Sequence, residues 1–221
     1  MTENSINAML GGVMMNNLDK PMLETLRADL SDVGIEMMES GIDQFLDEGL
    51  LQNIPIVKTI LSVYKAGVGF REQFFIKKIL VFLNSLSDTS VEDRIKFLEK
   101  HHCEDSNLGE SLIIILDRLD SMHKPKLIAN LFKSYLAEEI DSVTYHRLCQ
   151  IVDRCFIEDL KFLKLNEDKE TVTGFGALGL ANNGLAERAS FDGGNFNEVD
   201  YNPQTDYRIN ELGKMLAKYA F

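Results

Sequence analysis

The chain has 221 residues, 45% of them hydrophobic and 26% charged, with a formal net charge of −12 at pH 7. This length and composition are those of a globular protein with a sizeable core, and they exclude a disordered chain. The acidic balance also disfavours sequence-independent nucleic-acid binding, because that binding depends on neutralising phosphates.

The first half of the chain predicts helices after a loosely ordered N-terminus, residues 1–20. Pro21 is typical of a first helical turn, and apolar residues then recur at three- and four-residue steps as far as Met37. The pair Asn53–Ile54 before Pro55 marks a boundary, since a residue that precedes proline avoids helical angles. The remaining elements predicted here are a short helix over 42–51, a helix over 56–65, a break at 67–69 and a helix over 70–86.

The second half continues as helices up to about residue 165. Ser90 and Asp93 have the spacing of a capping box, and Asp141 or Ser142 can cap a later helix. The run Leu112–Leu116 is apolar on every side and predicts a central core helix. These signals give helices from Ser90 onward and over about 107–121, 125–138 and 142–165.

Composition changes after Leu165. We expect a charged linker over 166–170, a short helix over 177–186, strands near 187–191 and 206–209 around a turn at 192–195, and a closing helix from an Asn210 cap to Phe221. With the helix that ends near Leu165, the order is helix, helix, hairpin, helix.

Two segments of this region carry a glycine and leucine pattern, Gly184-Leu185-Ala186-Glu187-Arg188 and Asn210-Glu211-Leu212-Gly213. Together they resemble a winged-helix module, in which a short helix ends in a Gly-Leu turn, a wing follows, and Glu-Leu-Gly opens a last helix. The resemblance places a recognition helix at 176–186, which contains no Lys or Arg. Base edges are normally read by Arg, Lys, Asn or Gln. The candidate DNA contacts are therefore Asn182, Asn183 and Arg188.

The segments Pro55–Lys58, Phe75–Lys78, Tyr145–Leu148 and Glu158–Leu160 are similar to uncharacterised bacterial helical proteins. The resemblance implies a bacterial origin and does not indicate a particular activity. Combined with the patterns above, it predicts a mainly α protein. We expect a multi-helix bundle over residues 21–165 and a small winged-helix-like α+β module over 171–221.

No pattern indicates catalysis, a metal or a cofactor. His146 and Cys149 lie three residues apart, but the paired spacings of structural zinc sites are absent. Buried structural cysteines are the better interpretation of Cys149 and Cys155, and the 101–103 triplet is explained by a helix end that favours histidine. The glycines of 174–179 match a dinucleotide-binding pattern, but no strand is predicted before them. We expect no enzyme and no small-molecule substrate.

The most unusual feature is a charge reversal over residues 54–86, an apolar stretch with a local net charge of +4. It can be core, with its lysines paired to the acidic helical segment at 22–48, and this is the interpretation we favour. It can also be an apolar basic hairpin that binds an anionic membrane after a conformational change. The candidate membrane or partner surface comprises Lys58, Lys65, Arg71, Lys77, Lys78, Phe70 and Phe74.

The sequence thus predicts a non-enzymatic bacterial protein that works through protein–protein contacts or self-association. The alternative is a membrane-acting effector that uses 54–86, and the third hypothesis is a DNA-binding regulator. The N-terminal residues lack the basic and apolar regions of a signal peptide, and no apolar run has the ~18 residues of a spanning helix. Three cysteines, an odd and widely spaced set, fit a reducing compartment. We expect a cytoplasmic protein, with peripheral attachment to the inner membrane left open.

Overall fold

The computed structural model describes residues 18–30, 54–63, 70–101, 107–189 and 205–221. Within these ranges the protein is mainly helical, with ten helices and one antiparallel pair of short strands, as the sequence predicts. The elements are α1 (Asp19–Arg27), α2 (Pro55–Val63), α3 (Phe70–Ser85), α4 (Val91–Lys100), α5 (Leu108–Arg118), α6 (Lys124–Leu136), α7 (Ser142–Arg154), α8 (Ile157–Leu165), α9 (Gly174–Asn182), β1 (Ala186–Arg188), β2 (Tyr207–Ile209) and α10 (Glu211–Ala220).

Three predicted helix caps are confirmed. Ser90 Oγ accepts the backbone N–H of Asp93 at the start of α4, and an Asp141 carboxylate oxygen accepts the N–H of Thr144 at the start of α7. Asn210 Oδ1 accepts the N–H of Gly213 at the start of α10. In each case a short polar side chain satisfies a backbone donor that has no partner within the helix.

Three predicted helices have clearly different bounds in the structure, and the one predicted over 177–186 is α9, which runs Gly174–Asn182. The helix expected to run to Met37 ends at Arg27, because Ala28 takes an extended conformation; residues 31–53, with the helix predicted over 42–51, lie outside the described residues. The helix predicted over 142–165 is two helices, since Cys155 and Phe156 are both extended. No Pro or Gly lies at the end of α1 or at the break between α7 and α8; instead Arg94 donates to the Ala28 carbonyl after α1, and Lys124 donates to the Asp153 carbonyl near the end of α7.

Helix α6 is the centre of the bundle and packs against α3, α4, α7 and α10. Its Phe132 and Tyr135 join an aromatic cluster with Phe97 of α4 and Tyr145 of α7, and the rings of Tyr135 and Tyr145 are stacked with centroids 5.0 Å apart. One hydrophobic core runs from α1 to α10, so residues of the predicted bundle and of the predicted C-terminal module share it. None of the described helices combines the length and the hydropathy that crossing a membrane requires.

Three buried basic side chains join the ends of helices. Arg94 donates to the carbonyls of Leu26 and Ala28 at the end of α1 and to that of Thr89 after α3. Lys78 and Lys124 donate in the same way to carbonyls at the ends of α5 and α7. The carbonyl end of a helix carries partial negative charge, which a cation stabilises. Each of these residues therefore holds together helices that are distant in sequence.

The C-terminal part follows the predicted order of helix, hairpin and helix. Strands β1 and β2 are antiparallel, with Glu187 opposite Arg208, and Val172 makes an additional antiparallel bridge to Tyr207. The turn predicted at 192–195 and the predicted strand residues beyond Ala189 lie outside the described residues. No parallel strand precedes the glycines of α9 in the described residues, so they do not form a dinucleotide-binding loop.

The hydroxyl of Tyr145 is buried without a nitrogen or oxygen hydrogen-bond partner among the described residues, and its polar neighbour is the Cys149 thiol, a weak hydrogen-bonding group. Burial, with a smaller contribution from the Cys149 thiol, raises the pKa of Tyr145 well above its ordinary value. Because an unsatisfied buried hydroxyl costs about 1–3 kcal/mol, we expect Tyr145→Phe to keep or increase stability, by up to about 2 kcal/mol. Urea denaturation measures this. A loss of stability would mean that the hydroxyl has a partner.

Candidate interaction surface

Helix α3 has one buried side and one exposed side. Ile76, Ile79, Leu80 and Leu83 are fully buried and pack into the core. Helical periodicity places Phe70, Phe74 and Lys77 together on the other side, because they are four and three residues apart. The apolar residues of 54–86 that the structure describes are thus mostly core, as the favoured interpretation predicts.

The exposed side carries two phenylalanines at its N-terminal end. Phe70 is 77% exposed and Phe74 is 39% exposed, and their ring centroids are 5.0 Å apart. Most large apolar side chains of α3 are covered, so two adjacent exposed aromatic rings are the exception. With Arg71 and Lys77 they form a surface that we call the α3 face.

Arg71 lies beside the phenylalanines and reaches the end of α5. Its guanidinium Nη2 is 3.4 Å from Asp117 Oδ2, and its side chain is 83% exposed. An exposed ion pair of this length contributes little to stability, typically about 0–1 kcal/mol. Arg71 is therefore placed to form contacts outside the chain at little cost to the fold.

A cavity of about 230 Å³ opens between the α3 face and the residues that follow α5. Its polar walls include Arg71, Lys78, Asp117, Asp120 and Ser121. Its apolar lining residues are Phe74, Leu119 and Met122. The cavity thus combines cationic, anionic and apolar groups next to the exposed phenylalanines.

Lys78 forms the inner wall of this cavity and is not an exposed residue. Its Nζ donates to the carbonyl oxygens of Asp117 and Leu119, each at 2.7 Å, and burial lowers its pKa from the ordinary value while Asp117 opposes that shift. Lys124 lies deeper and donates to Asp120 Oδ1 at 2.7 Å and to the Asp153 carbonyl at 2.9 Å. Both ammonium groups therefore fix the loop that ends α5 and holds the two carboxylates.

The basic residues that were predicted to form one surface lie in different places in the structure. Lys58 is exposed on α2, Lys77 is half-buried on α3, and Lys65 lies outside the described residues. Arg71 pairs with Asp117, and Lys78, one of the lysines expected to pair with the acidic segment at 22–48, instead donates to carbonyls at the end of α5. Residues 31–48 of that segment lie outside the described residues, so the pairing expected of the other lysines stays a prediction. The sequence separation of Asp117 from α3 explains why no local pattern could indicate it.

The candidate DNA contacts occupy three different settings. Asn182 is exposed at the end of α9, whereas the Asn183 side-chain amide donates to the carbonyl of Gly179 within the same helix end. Arg188 is exposed on β1. The Asn183 amide therefore caps the C-terminal end of α9.

The cysteine and histidine residues form no site in the described part of the chain, where no three metal-ligating side chains cluster. Cys149 and Cys155 are fully buried, as predicted, and burial raises the pKa of each thiol to about 12. The ring of His146 bonds through Nδ1 to the Ser142 carbonyl, 2.7 Å away. Cys103 lies outside the described residues.

Comparison of the chain with protein-family models, with curated proteins and with solved structures finds no match. Site residues that the sequence did not single out are Asp117, Asp120, Ser121 and Met122. They lie at the junction of α5 and α6, and only the packing of α3 against α5 brings them to the α3 face.

Proposed function

We propose that this is a non-enzymatic protein of the bacterial cytoplasm that acts by binding another protein chain through the α3 face. The observation that carries the proposal is the pair of adjacent, exposed phenylalanines, Phe70 and Phe74, next to an exposed arginine and a mixed-charge cavity. Aromatic residues and arginine are enriched where protein interfaces gain most of their energy. Fully burying an exposed phenylalanine stabilises a complex by about 1.5–3 kcal/mol.

The charges around the face favour a protein partner over a membrane. Asp117 and Asp120 line the cavity beside Phe74, so an anionic bilayer that covered the phenylalanines would also meet two carboxylates. Insertion of the 54–86 stretch would require residues such as Ile76, Ile79 and Leu80 to leave the core, where each is fully buried. A protein partner can instead supply a matching arrangement of charges.

For the C-terminal part we propose a winged-helix-like module that serves packing rather than DNA reading. The strand pair β1–β2, the Val172 bridge and the Asn210-capped α10 support the winged-helix arrangement. The apolar α9 carries no basic residue with which to neutralise phosphates. Its glycines Gly176 and Gly179 face Phe162 and Asp159 of α8, which supports close helix packing as its role.

Site-specific photocrosslinking in cells tests the proposal. We expect a photoreactive residue at Phe74 to give a discrete crosslinked species, and we expect Arg71→Glu in the same chain to reduce its yield several-fold. The matched control is the same residue at Phe156, which is 71% exposed at the start of a different helix and should give no such species. Equal crosslinking at the two positions, or none at Phe74, would contradict the proposal.

A further inference from the structure

We infer that the partner of the α3 face is the α3 face of a second copy of this chain, related by a two-fold axis. This inference rests on the proposed function, because it identifies the chain that binds there. Phe70 and Phe74 of one copy pack against those of the other. Arg71 of each copy pairs with Asp117 of the opposite copy.

The surface carries both halves of a charge-complementary contact, which favours a second copy of the chain as the partner. Arg71 and Lys77 lie on α3, and Asp117 and Asp120 line the cavity beside Arg71. A two-fold interface brings the same patch together twice, so that residue i meets residue j and residue j meets residue i. A patch that holds cations and carboxylates side by side satisfies this requirement. A uniformly acidic or basic partner would meet like charges on one side or the other.

The contact between Arg71 and Asp117 within one chain does not prevent Arg71 from pairing with Asp117 of a second copy. Arg71 Nη2 and Asp117 Oδ2 are 3.4 Å apart, and the Arg71 side chain is 83% exposed, so little is lost when it turns to another copy. The Asp117 side chain is 21% exposed and faces the same cavity, within reach of an incoming guanidinium. A bidentate contact from Arg71 of the second copy would be the stronger of the two arrangements.

The size of the surface predicts a weak dimer. A standard interface buries ~800 Å² per partner, and a contact built on two phenylalanines and a few charged side chains lies at the small end. We therefore expect a dissociation constant on the order of 10 µM, which makes the dimer dependent on concentration.

Sedimentation velocity of two charge-reversed variants, alone and mixed, tests the two-fold arrangement. In a dimer of Arg71→Glu chains, the introduced carboxylate of each copy faces the Asp117 carboxylate of the other copy. In a dimer of Asp117→Lys chains, the introduced ammonium group of each copy faces the Arg71 guanidinium of the other copy. Each variant should therefore dimerise at least tenfold more weakly than the wild type. In an equimolar mixture, a dimer with one copy of each variant has two different contacts. At one contact the native Arg71 of one copy meets the native Asp117 of the other. At the second contact the introduced glutamate meets the introduced lysine, which has the opposite charge. We expect such mixed dimers to form, and a local effect within one chain cannot produce this rescue.

Arg147→Glu is the control, because Arg147 is exposed on α7, and it should dimerise as the wild type does. Circular dichroism melting checks that each variant folds, and Asp117→Asn replaces Asp117→Lys if the lysine variant does not fold. The neutral variant should still weaken dimerisation.

A wild type that stays monomeric up to about 0.5 mM, fifty times the expected dissociation constant, overturns the inference, as does a mixture that shows no rescue. If the wild type is monomeric but Phe74 crosslinks to a different protein, the proposed function survives and the inference fails. If neither is seen, both fail.

Discussion

Replacing Arg94 by methionine is expected to lower the free energy of unfolding by about 3–5 kcal/mol. Arg94 is only 1% exposed, and its guanidinium donates to four backbone carbonyls and to the Thr89 hydroxyl. Methionine fills much of the same volume but donates no hydrogen bond, so these buried acceptors lose their partner. Urea denaturation measures the loss, and a thermal melt should show a midpoint lower by roughly 10 °C.

The charge of Arg94 makes this residue more than a hydrogen-bond donor. The carbonyl ends of α1 and α3 supply negative potential at the guanidinium, and the carboxylates of Asp29 and Glu92 add to it. Burial lowers the pKa of Arg94, an effect that these two acids oppose. Arg94→Lys should therefore lose roughly half as much stability as the methionine variant, since an ammonium group keeps the charge but reaches fewer acceptors.

The control is Arg147→Met, which removes an exposed arginine from α7 and should change stability by no more than about 0.5 kcal/mol. If Arg94→Met costs as little as the control, the junction of α1, α3 and α4 does not depend on this side chain. The helix ends would then have to be satisfied by water, which the burial of Arg94 disfavours.

The sequence predicts the local features of this fold well, because they depend on neighbouring residues. The caps at Ser90, Asp141 and Asn210 each need one side chain and a backbone donor three residues on, a relation that can be read from the sequence. The burial of most of the described apolar residues in 54–86 also follows from the density of apolar residues there. These features give the helical class and the hairpin order near the C-terminus.

Features that depend on distant residues could not be predicted. The break between α7 and α8 coincides with the Lys124 ammonium on the Asp153 carbonyl, a contact across 29 positions. Lys78 was expected to reach a surface, yet it is buried against the end of α5. The same reason applies to the candidate site: Phe70, Arg71 and Phe74 could be named from the basic stretch, but Asp117 and the cavity could not. The side chain of a lysine in an apolar segment can either extend into solvent or cap the end of another helix, and tertiary packing determines which of the two occurs.

The second large effect is expected at Gly213, where alanine should destabilise the protein by about 1–3 kcal/mol. In most helices the same change stabilises by about 0.5–1 kcal/mol, because alanine is the better helix former. Here a Cβ would overlap the backbone carbonyl oxygen of Leu185 and the Cγ2 of Ile209. Backbone cannot move aside as a flexible side chain can, so α10 would have to withdraw from the strands. Urea denaturation measures the change, and hydrogen exchange should show faster exchange in α10.

Gly179→Ala is the matched control. A Cβ at Gly179 would meet the carboxylate of Asp159, which can rotate away as backbone cannot, so this substitution should cost clearly less stability than Gly213→Ala. Gly184→Ala isolates the backbone conformation: its φ of +74° costs a non-glycine residue about 1–2 kcal/mol, although nothing lies within 4 Å of the added atom. A Gly213→Ala variant at least as stable as the wild type would be inconsistent with this close approach. The glycine of the Glu-Leu-Gly motif would then have no packing role. The motif would in that case no longer support a winged-helix-like arrangement.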